Sequence, residues 1–348
     1  MNLNVRSVTL AMSLLSSGAL LASGVELESS NSTKPSASKK ASVTVESKAS
    51  PSAPRQEFKP FKLQLSAGGG YMGGDVTYQI GKEARSDGRI ERLRFPISEL
   101  KWPINVAVVA FDGSIAIQRL ELRGRYALSV TDKAGKMEDS DWGEYIPNPN
   151  LKTTYSETDA TLDYWELDGS LRYWFLSFGK PAARFHAGAG VGYLHQNFEW
   201  DAKDGYQSSL NPFNYSGPIV GLAVHYEAEV NMPYLEAAVR FQHKKLSAEA
   251  RIGVAPYMTV TDMDDHVLRS IRADTDADGA GVLGNVLATY DLTKNIFVQA
   301  EVMGMGFKVD GTEKDIVYAG EDQGDTWEIY HEIKSRQVKG TLALGVKL

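Results

Sequence analysis

The sequence predicts an all-β protein, a ten-stranded antiparallel transmembrane β-barrel with long extracellular loops. Three observations predict it. Apolar and polar residues alternate with a period of two over most of the chain. Aromatic residues crowd the ends of those runs: Tyr164, Trp165, Tyr173, Trp174, Phe175, Phe178, Tyr193, Phe198 and Trp200. Past residue 24 no apolar stretch has the length of a membrane-spanning helix. A chain that crosses a bilayer must then cross as a closed barrel, in which every backbone polar group is paired.

The alternation places strands near 60–80, 90–110, 114–136, 160–177, 181–201, 215–243, 247–262, 281–292, 295–309 and 334–348. From Leu120 to Tyr126 the apolar residues alternate with Arg119, Glu121, Arg123 and Arg125 on a single opposite face. The last strand sets Val338, Leu342, Leu344, Val346 and Leu348 against Lys339, Thr341 and Lys347. Turns are expected at 111–114, 178–181, 243–246 and 292–295, and long polar loops at 137–159, 202–214, 263–280 and 310–333. Short turns at one end and long excursions at the other are the asymmetry of an outer-membrane barrel. With the N-terminus in the periplasm, the excursions after the third and seventh strands emerge at the cell surface. In the seventh strand a straight count puts Asp262 on the outward parity, so a bulge is expected near Pro256.

Residues 1–24 pair one early cation, Arg6, with an apolar run from Val8 to Ala22 and small residues at Ser23 and Gly24. These are the parts of a secretory signal peptide. Residues 25–57 are rich in Ser, Lys and Ala, and such a segment cannot bury enough apolar surface to offset its ordering entropy, so a disordered periplasmic tail is expected. The barrel domain then runs over 58–348. The chain has no cysteine, so disulfides contribute nothing, and its net charge of −7 argues against nucleic acid and suits cationic ligands.

Two acidic clusters stand in loops that share one end of the barrel: Met137-Glu-Asp-Ser-Asp-Trp142 and Asp262-Met-Asp-Asp-His266. Either alone reads as a solvated loop. Together they resemble the omptins, a family of ten-stranded outer-membrane proteases with Met-x-Asp-x-Asp-Trp in the second external loop and Asp-x-Asp-x-His in the fourth. Met137, Asp139, Asp141 and Trp142 fit the first motif; Asp262, Asp264 and His266 fit the second. Ile97 to Trp102, Glu166 to Trp174 and Met232-Pro-Tyr234 are similar to further stretches of the family in the same order.

The resemblance implies an aspartate/histidine endopeptidase at the bacterial outer membrane, its active site facing the exterior, with no cofactor or metal and no covalent acyl-enzyme. His266 is then the general base on a water, oriented by Asp264, while Asp139 and Asp141 position that water and stabilise the tetrahedral intermediate. Asp262, with Asp75, is implied as the acidic pocket for a basic residue beside the scissile bond, so the expected substrates are cationic peptides or proteins. Lipopolysaccharide, held by outer-face arginines, is implied as an activating lipid partner. Here those positions read Asn197 and Glu229, which leaves the lipid to other residues such as Arg240 or to none.

A non-proteolytic adhesin, a small pore and a soluble periplasmic β-domain are the competing readings. Asp274-Thr-Asp-Ala-Asp-Gly279 starts like a calcium loop, but its twelfth position is Asn285 and no flanking helix is expected. His186, His195, His225 and His243 fall in strands or turns and read as structural.

Overall fold

The computed structural model describes residues 61–348, except 87, 144–149, 181 and 213. The expected signal peptide (1–24) and tail (25–57) lie outside the described residues. The described strands are β1 (Lys62–Ser86), β2 (Arg89–Arg92), β3 (Ser98–Pro103), β4 (Val106–Ile117), β5 (Leu120–Ser129), β6 (Lys133–Trp142), β7 (Lys152–Lys180), β8 (Ala183–Ser209), β9 (Gly217–His243), β10 (Leu246–His266), β11 (Ile271–Asp291), β12 (Ile296–Val317) and β13 (Thr326–Lys347). Every pairing is antiparallel: β7 to β13 pair in sequence order, β4 and β3 both pair with β1, β5 and β6 both pair with β7, and β1 pairs with β13 from Gln64↔Lys347 to Arg85↔Glu328, which closes the ring. β3 with β4 and β5 with β6 are the halves of two bent staves, and β2 caps the tip of β1, so the barrel has ten staves.

The two bends lie side by side. Pro103 ends β3, since proline cannot donate to the ladder, and side chains fill the gap: Thr131 Oγ1 accepts from the Ala107 amide at 2.9 Å, and Asn105 Nδ2 donates to the Ala134 carbonyl at 3.0 Å. The turn expected at 111–114 is not there. Phe111 pairs with Tyr126 and Ser114 with Arg123, and the chain reverses at Gln118 and Arg119 instead. Asp112-Gly113 has the look of a hairpin signal, but Asp112 is held in the strand by Arg125, 2.8 Å away.

The strands also run about ten residues further than expected at the other end. Most of 137–159, 202–214, 263–280 and 310–333 is ladder, and the connection between β10 and β11 is a single turn of 3₁₀ helix, Val267–Arg269, closed by Ser270. A change of polarity explains why these stretches read as loops. In the lower part of β7, Leu167, Leu171, Tyr173 and Phe175 face outward while Glu166, Asp168 and Arg172 are buried inside. Higher up the same strand the faces exchange roles: Glu157, Asp159 and Asp163 point out, and Ala160 and Leu162 point in. β9 and β11 do the same, with Leu235, Val239, Val282 and Val286 outward below and Glu227, Glu229, Asp274 and Asp276 outward above. The lower part is thus apolar towards lipid with a charged lumen, and the upper part is built like a water-facing barrel around an apolar core.

The lumen charges are paired throughout. Arg172 bonds Glu236 and Glu249, both at 2.7 Å; Arg251 bonds Asp168 at 2.7 Å; Arg125 reaches Glu301, and Lys339 reaches Glu166. Above this layer Trp102, Trp200, Phe198 and Tyr226 stack into an aromatic floor. The Trp102–Tyr226 centroids lie 5.3 Å apart and those of Phe198 and Trp200 5.1 Å. That floor carries the candidate site.

Candidate active site

The bulge expected near Pro256 is present. The register of β10 slips between Ala255 and Met258 against β11, and between Val254 and Thr259 against β9. Below the slip Ile252 and Val254 face lipid; above it Met258, Val260, Asp262 and Asp264 are buried in the interior. One extra residue therefore turns two carboxylates inward that a regular strand would have turned outward.

Asp264 and His266 form a pair at the top of β10, with Asp264 Oδ2 3.1 Å from His266 Nε2. Arg269 Nη2, which can only donate, stands 2.8 Å from Nδ1, so Nδ1 is the acceptor and the basic nitrogen of this ring. On the opposite wall, β6 pairs Asp139 with Leu100 and Asp141 with Ser98, which sets both carboxylates on one face at the same end of the barrel. Arg269, from the 3₁₀ turn, reaches between the walls. Its Nη2 lies 2.8 Å from His266 Nδ1 and 3.9 Å from Asp139 Oδ2, so one nitrogen touches both halves of the constellation.

Asp262 sits one inward position below Asp264. Its Oδ2 accepts from the Tyr226 hydroxyl at 3.0 Å, and Tyr226 is itself fixed by the aromatic floor. Burial first, then the charge of Asp264, holds the Asp262 carboxyl well above the usual carboxylate range, against the hydrogen bonds from Tyr226 and Thr275. Asp75 does not join it. It lies opposite Arg336 and Pro103 on the parity of Thr77, away from the interior, and Thr77 Oγ1 donates to it at 3.4 Å. The inward place belongs to Tyr78, whose hydroxyl donates to Glu313 at 2.5 Å and whose ring stands 6.0 Å from Tyr226. The assignment of Asp75 to the acidic pocket is therefore corrected: the inward parity of β1 is even-numbered.

Sequence reasoning missed several residues here. Glu313 and Asp315 on β12 and His331 on β13 are buried beside Asp262, and Arg269 was passed over. Burial pushes the Asp315 carboxyl up to about 7, with Asp264 adding to it and the hydrogen bond with Glu313 opposing. Glu313 is likewise raised, by burial and then by the charge of Asp315, while burial takes the His331 imidazole down to about 3. The i, i+2 spacing of Glu313 and Asp315 is the available signal, but it carries meaning only on a strand, and the polar stretch 310–333 has the composition of a loop.

The outer wall offers no basic side chain at Asn197 or Glu229, the two positions implied for lipid binding. Asn197 and Glu229 are direct cross-strand partners, and Glu229 Oε1 accepts from Asn231 at 3.1 Å. Arg240 cannot substitute, because it points into the lumen and bonds Glu249 and Glu121. The Asp274–Asp278 segment is regular strand with its acidic residues on the outer face, not a calcium loop.

The sequence profile of the omptin family matches residues 80–347. No sequence among curated proteins matches. Among solved structures, the outer-membrane protease OmpT of Escherichia coli superposes with a TM-score of 0.63 at 18% identity, over 83% of this chain and 99% of that one. Its likeness is one of fold. The attachment invasion locus protein Ail of Yersinia pestis has 7% identity over 82% of this chain and 98% of that one, with a TM-score of 0.24. The translocator domain of the autotransporter NalP of Neisseria meningitidis has 8% identity over 82% and 88%, with a TM-score of 0.31.

Proposed function

The chain belongs to the omptin family of outer-membrane proteases, and from that premise we propose that it is an endopeptidase cleaving beside basic residues, with its site at the outer end of the barrel. The observation that carries the proposal is the meeting of two walls over a single guanidinium: Asp139 on one side, His266 held by Asp264 on the other. With Arg269 displaced, a water between His266 Nδ1 and the β6 carboxylates has a base on one side and acceptors on the other. His266 takes a proton from that water as its oxygen attacks the scissile carbonyl carbon. The imidazolium then returns the proton to the leaving amine as the carbon–nitrogen bond breaks. Asp264 favours the charged imidazolium that forms in between. Asp139 and Asp141 hold the water through its remaining hydrogen.

The acidic interior around Asp262 favours a basic side chain next to the scissile bond, through charge-assisted hydrogen bonds. The full barrel, refolded with and without lipopolysaccharide, is assayed on a fluorogenic dibasic peptide. Turnover is expected, falling by ~10²–10⁴-fold in His266→Ala. Absence of turnover, or turnover unchanged in that variant, refutes the proposal. The lipid arm decides separately whether a chain with Asn197 and Glu229 on its outer wall still needs the lipid.

A further inference from the structure

The interior beside the catalytic pair holds more carboxyl groups than the proposed chemistry uses. Across the ladder, Asp264 on β10 pairs with Ala273 on β11, and Ala273 with Asp315 on β12; in the next inward row Asp262 pairs with Thr275, and Thr275 with Glu313. The middle strand presents only a small residue in each row, so the side chains on either side close over it. The result is a box of four carboxyls, all buried, with His331 and the hydroxyls of Tyr78 and Tyr226 at its base.

The box has hydrogen-bonding capacity that nothing inside the protein uses. Asp262 Oδ1, Asp315 Oδ2 and His331 Nε2 are all buried without a hydrogen-bond partner. His331 Nδ1 lies 2.9 Å from Thr275 Oγ1, and with Nδ1 as the donor of that contact the Thr275 hydroxyl oxygen accepts. His331 Nε2 is then a lone pair, 3.9 Å from Asp262 Oδ2. Several convergent acceptors and no donor describe a site for a donor-rich cation. A guanidinium brings five N–H groups and no acceptor. Four ionised carboxylates cannot stand together in a protein interior without a cation, so the box must hold protons.

We propose that Glu313, Asp315 and His331 are specificity-determining residues: with Asp262 they form a recess that gives up a proton when a basic substrate side chain enters. That a basic side chain enters rests on the function proposed above; the exchange of a proton for its charge, and the three residues that perform it, go beyond that reading. The proton leaves to solvent from the Glu313–Asp315 pair, whose carboxylate then faces the incoming cation, while His331 stays neutral and serves as an acceptor. The charged and titratable groups that face Asp315 are Glu313 on its own strand, Asp264 and His266 on β10, Arg269 on the turn and Tyr78 on β1; β11 presents none in that row. The carboxyl value of about 7 places the exchange at physiological pH.

The test is calorimetric and does not need turnover. A dibasic peptide with a reduced, uncleavable scissile bond is titrated into the full refolded barrel in two buffers of different ionisation enthalpy, across about pH 5 to 8. Release of about one proton is expected, with Kd falling about tenfold per pH unit up to about pH 7 and levelling above. The same peptide with norleucine before the reduced bond should bind more weakly and without the slope. In the near-isosteric Glu313→Gln/Asp315→Asn double variant, its fold checked by circular dichroism, the slope should vanish. Wild-type binding that is independent of pH, a slope kept by the double variant, or a slope shared by the norleucine peptide overturns the inference. A barrel that cleaves peptides but shows no slope loses this inference and keeps the peptidase. One that shows the slope but never cleaves keeps the recess and loses the peptidase.

Discussion

In the proposed mechanism Arg269 occupies the position that the nucleophilic water needs, and its removal is the sharpest single probe of that proposal. In Arg269→Ala the guanidinium no longer sits 2.8 Å from His266 Nδ1 and 3.9 Å from Asp139. Both contacts must break before substrate can engage the base, so their net worth is a tax on productive binding. The side chain is 55% exposed, which limits that worth: a charge-assisted hydrogen bond in contact with water nets about 1 kcal/mol once hydration is counted. At 1.4 kcal/mol per factor of ten, the variant should bind its substrate about fivefold more tightly. Steady-state kinetics on the dibasic peptide separates the possibilities. A lower KM with kcat undiminished is expected. A kcat reduced tenfold or more with KM unchanged means that Arg269 acts in the transition state, as a donor to the developing oxyanion, and refutes its reading as an obstruction.

Three further outcomes follow from the same geometry. Arg172→Met leaves Glu236 with only the longer contact to Arg251, 3.5 Å, and should cost about 3–5 kcal/mol in denaturant unfolding from lipid, with most of the loss recovered when Glu236→Gln is added. Val302→Arg, on the lipid face of β12, should cost about 2–4 kcal/mol, whereas Thr312→Arg higher on the same strand should change stability by about 0.5 kcal/mol or less. The third concerns pH. Asp315 titrates near 7 in the folded barrel and near the ordinary 3.8 in the unfolded chain, so between those values the folded state binds the extra proton. The Asp315 contribution to stability should therefore fall as pH rises from about 4 to about 7, by at most ~1.4 kcal/mol per unit, and level off above; Asp262 and Glu313, also raised, add falls of their own, so Asp315→Asn should make the fall shallower by about that amount.

The barrel was legible because most of the lipid-facing half obeys one rule. Where Leu120, Leu122 and Tyr126 face lipid, Glu121, Arg123 and Arg125 must face in, and the period of two survives any reading of the sequence. The upper half obscured itself. In β7 the outward set passes from Trp165 to Asp163 and the inward set from Glu166 to Leu162, so the contrast that marks a strand changes sign within a few residues. A scan for one fixed apolar face sees the pattern stop there and reports a loop. That is why the two acidic motifs read as loops in sequence when they stand on strands, and why Glu313, Asp315 and His331 carry no sequence signal that connects them to those motifs.

The bulge in β10 shows what that support does. A lipid-facing strand and a carboxylate-bearing strand need opposite parities, because the first must turn its apolar residues out and the second must turn its acids in. A loop between the two would also solve the conflict, but a loop would leave Asp264 and His266 free to move relative to β6. A slip of one residue between Val254 and Thr259 solves it while the ladder on both sides continues, from Leu246↔Tyr290 to His266↔Ile271 against β11. The carboxylates are thereby fixed to the same sheet that fixes Asp139 through Leu100 and Ser156. The barrel wall itself, rather than a set of external loops, holds the two halves of the site at one separation.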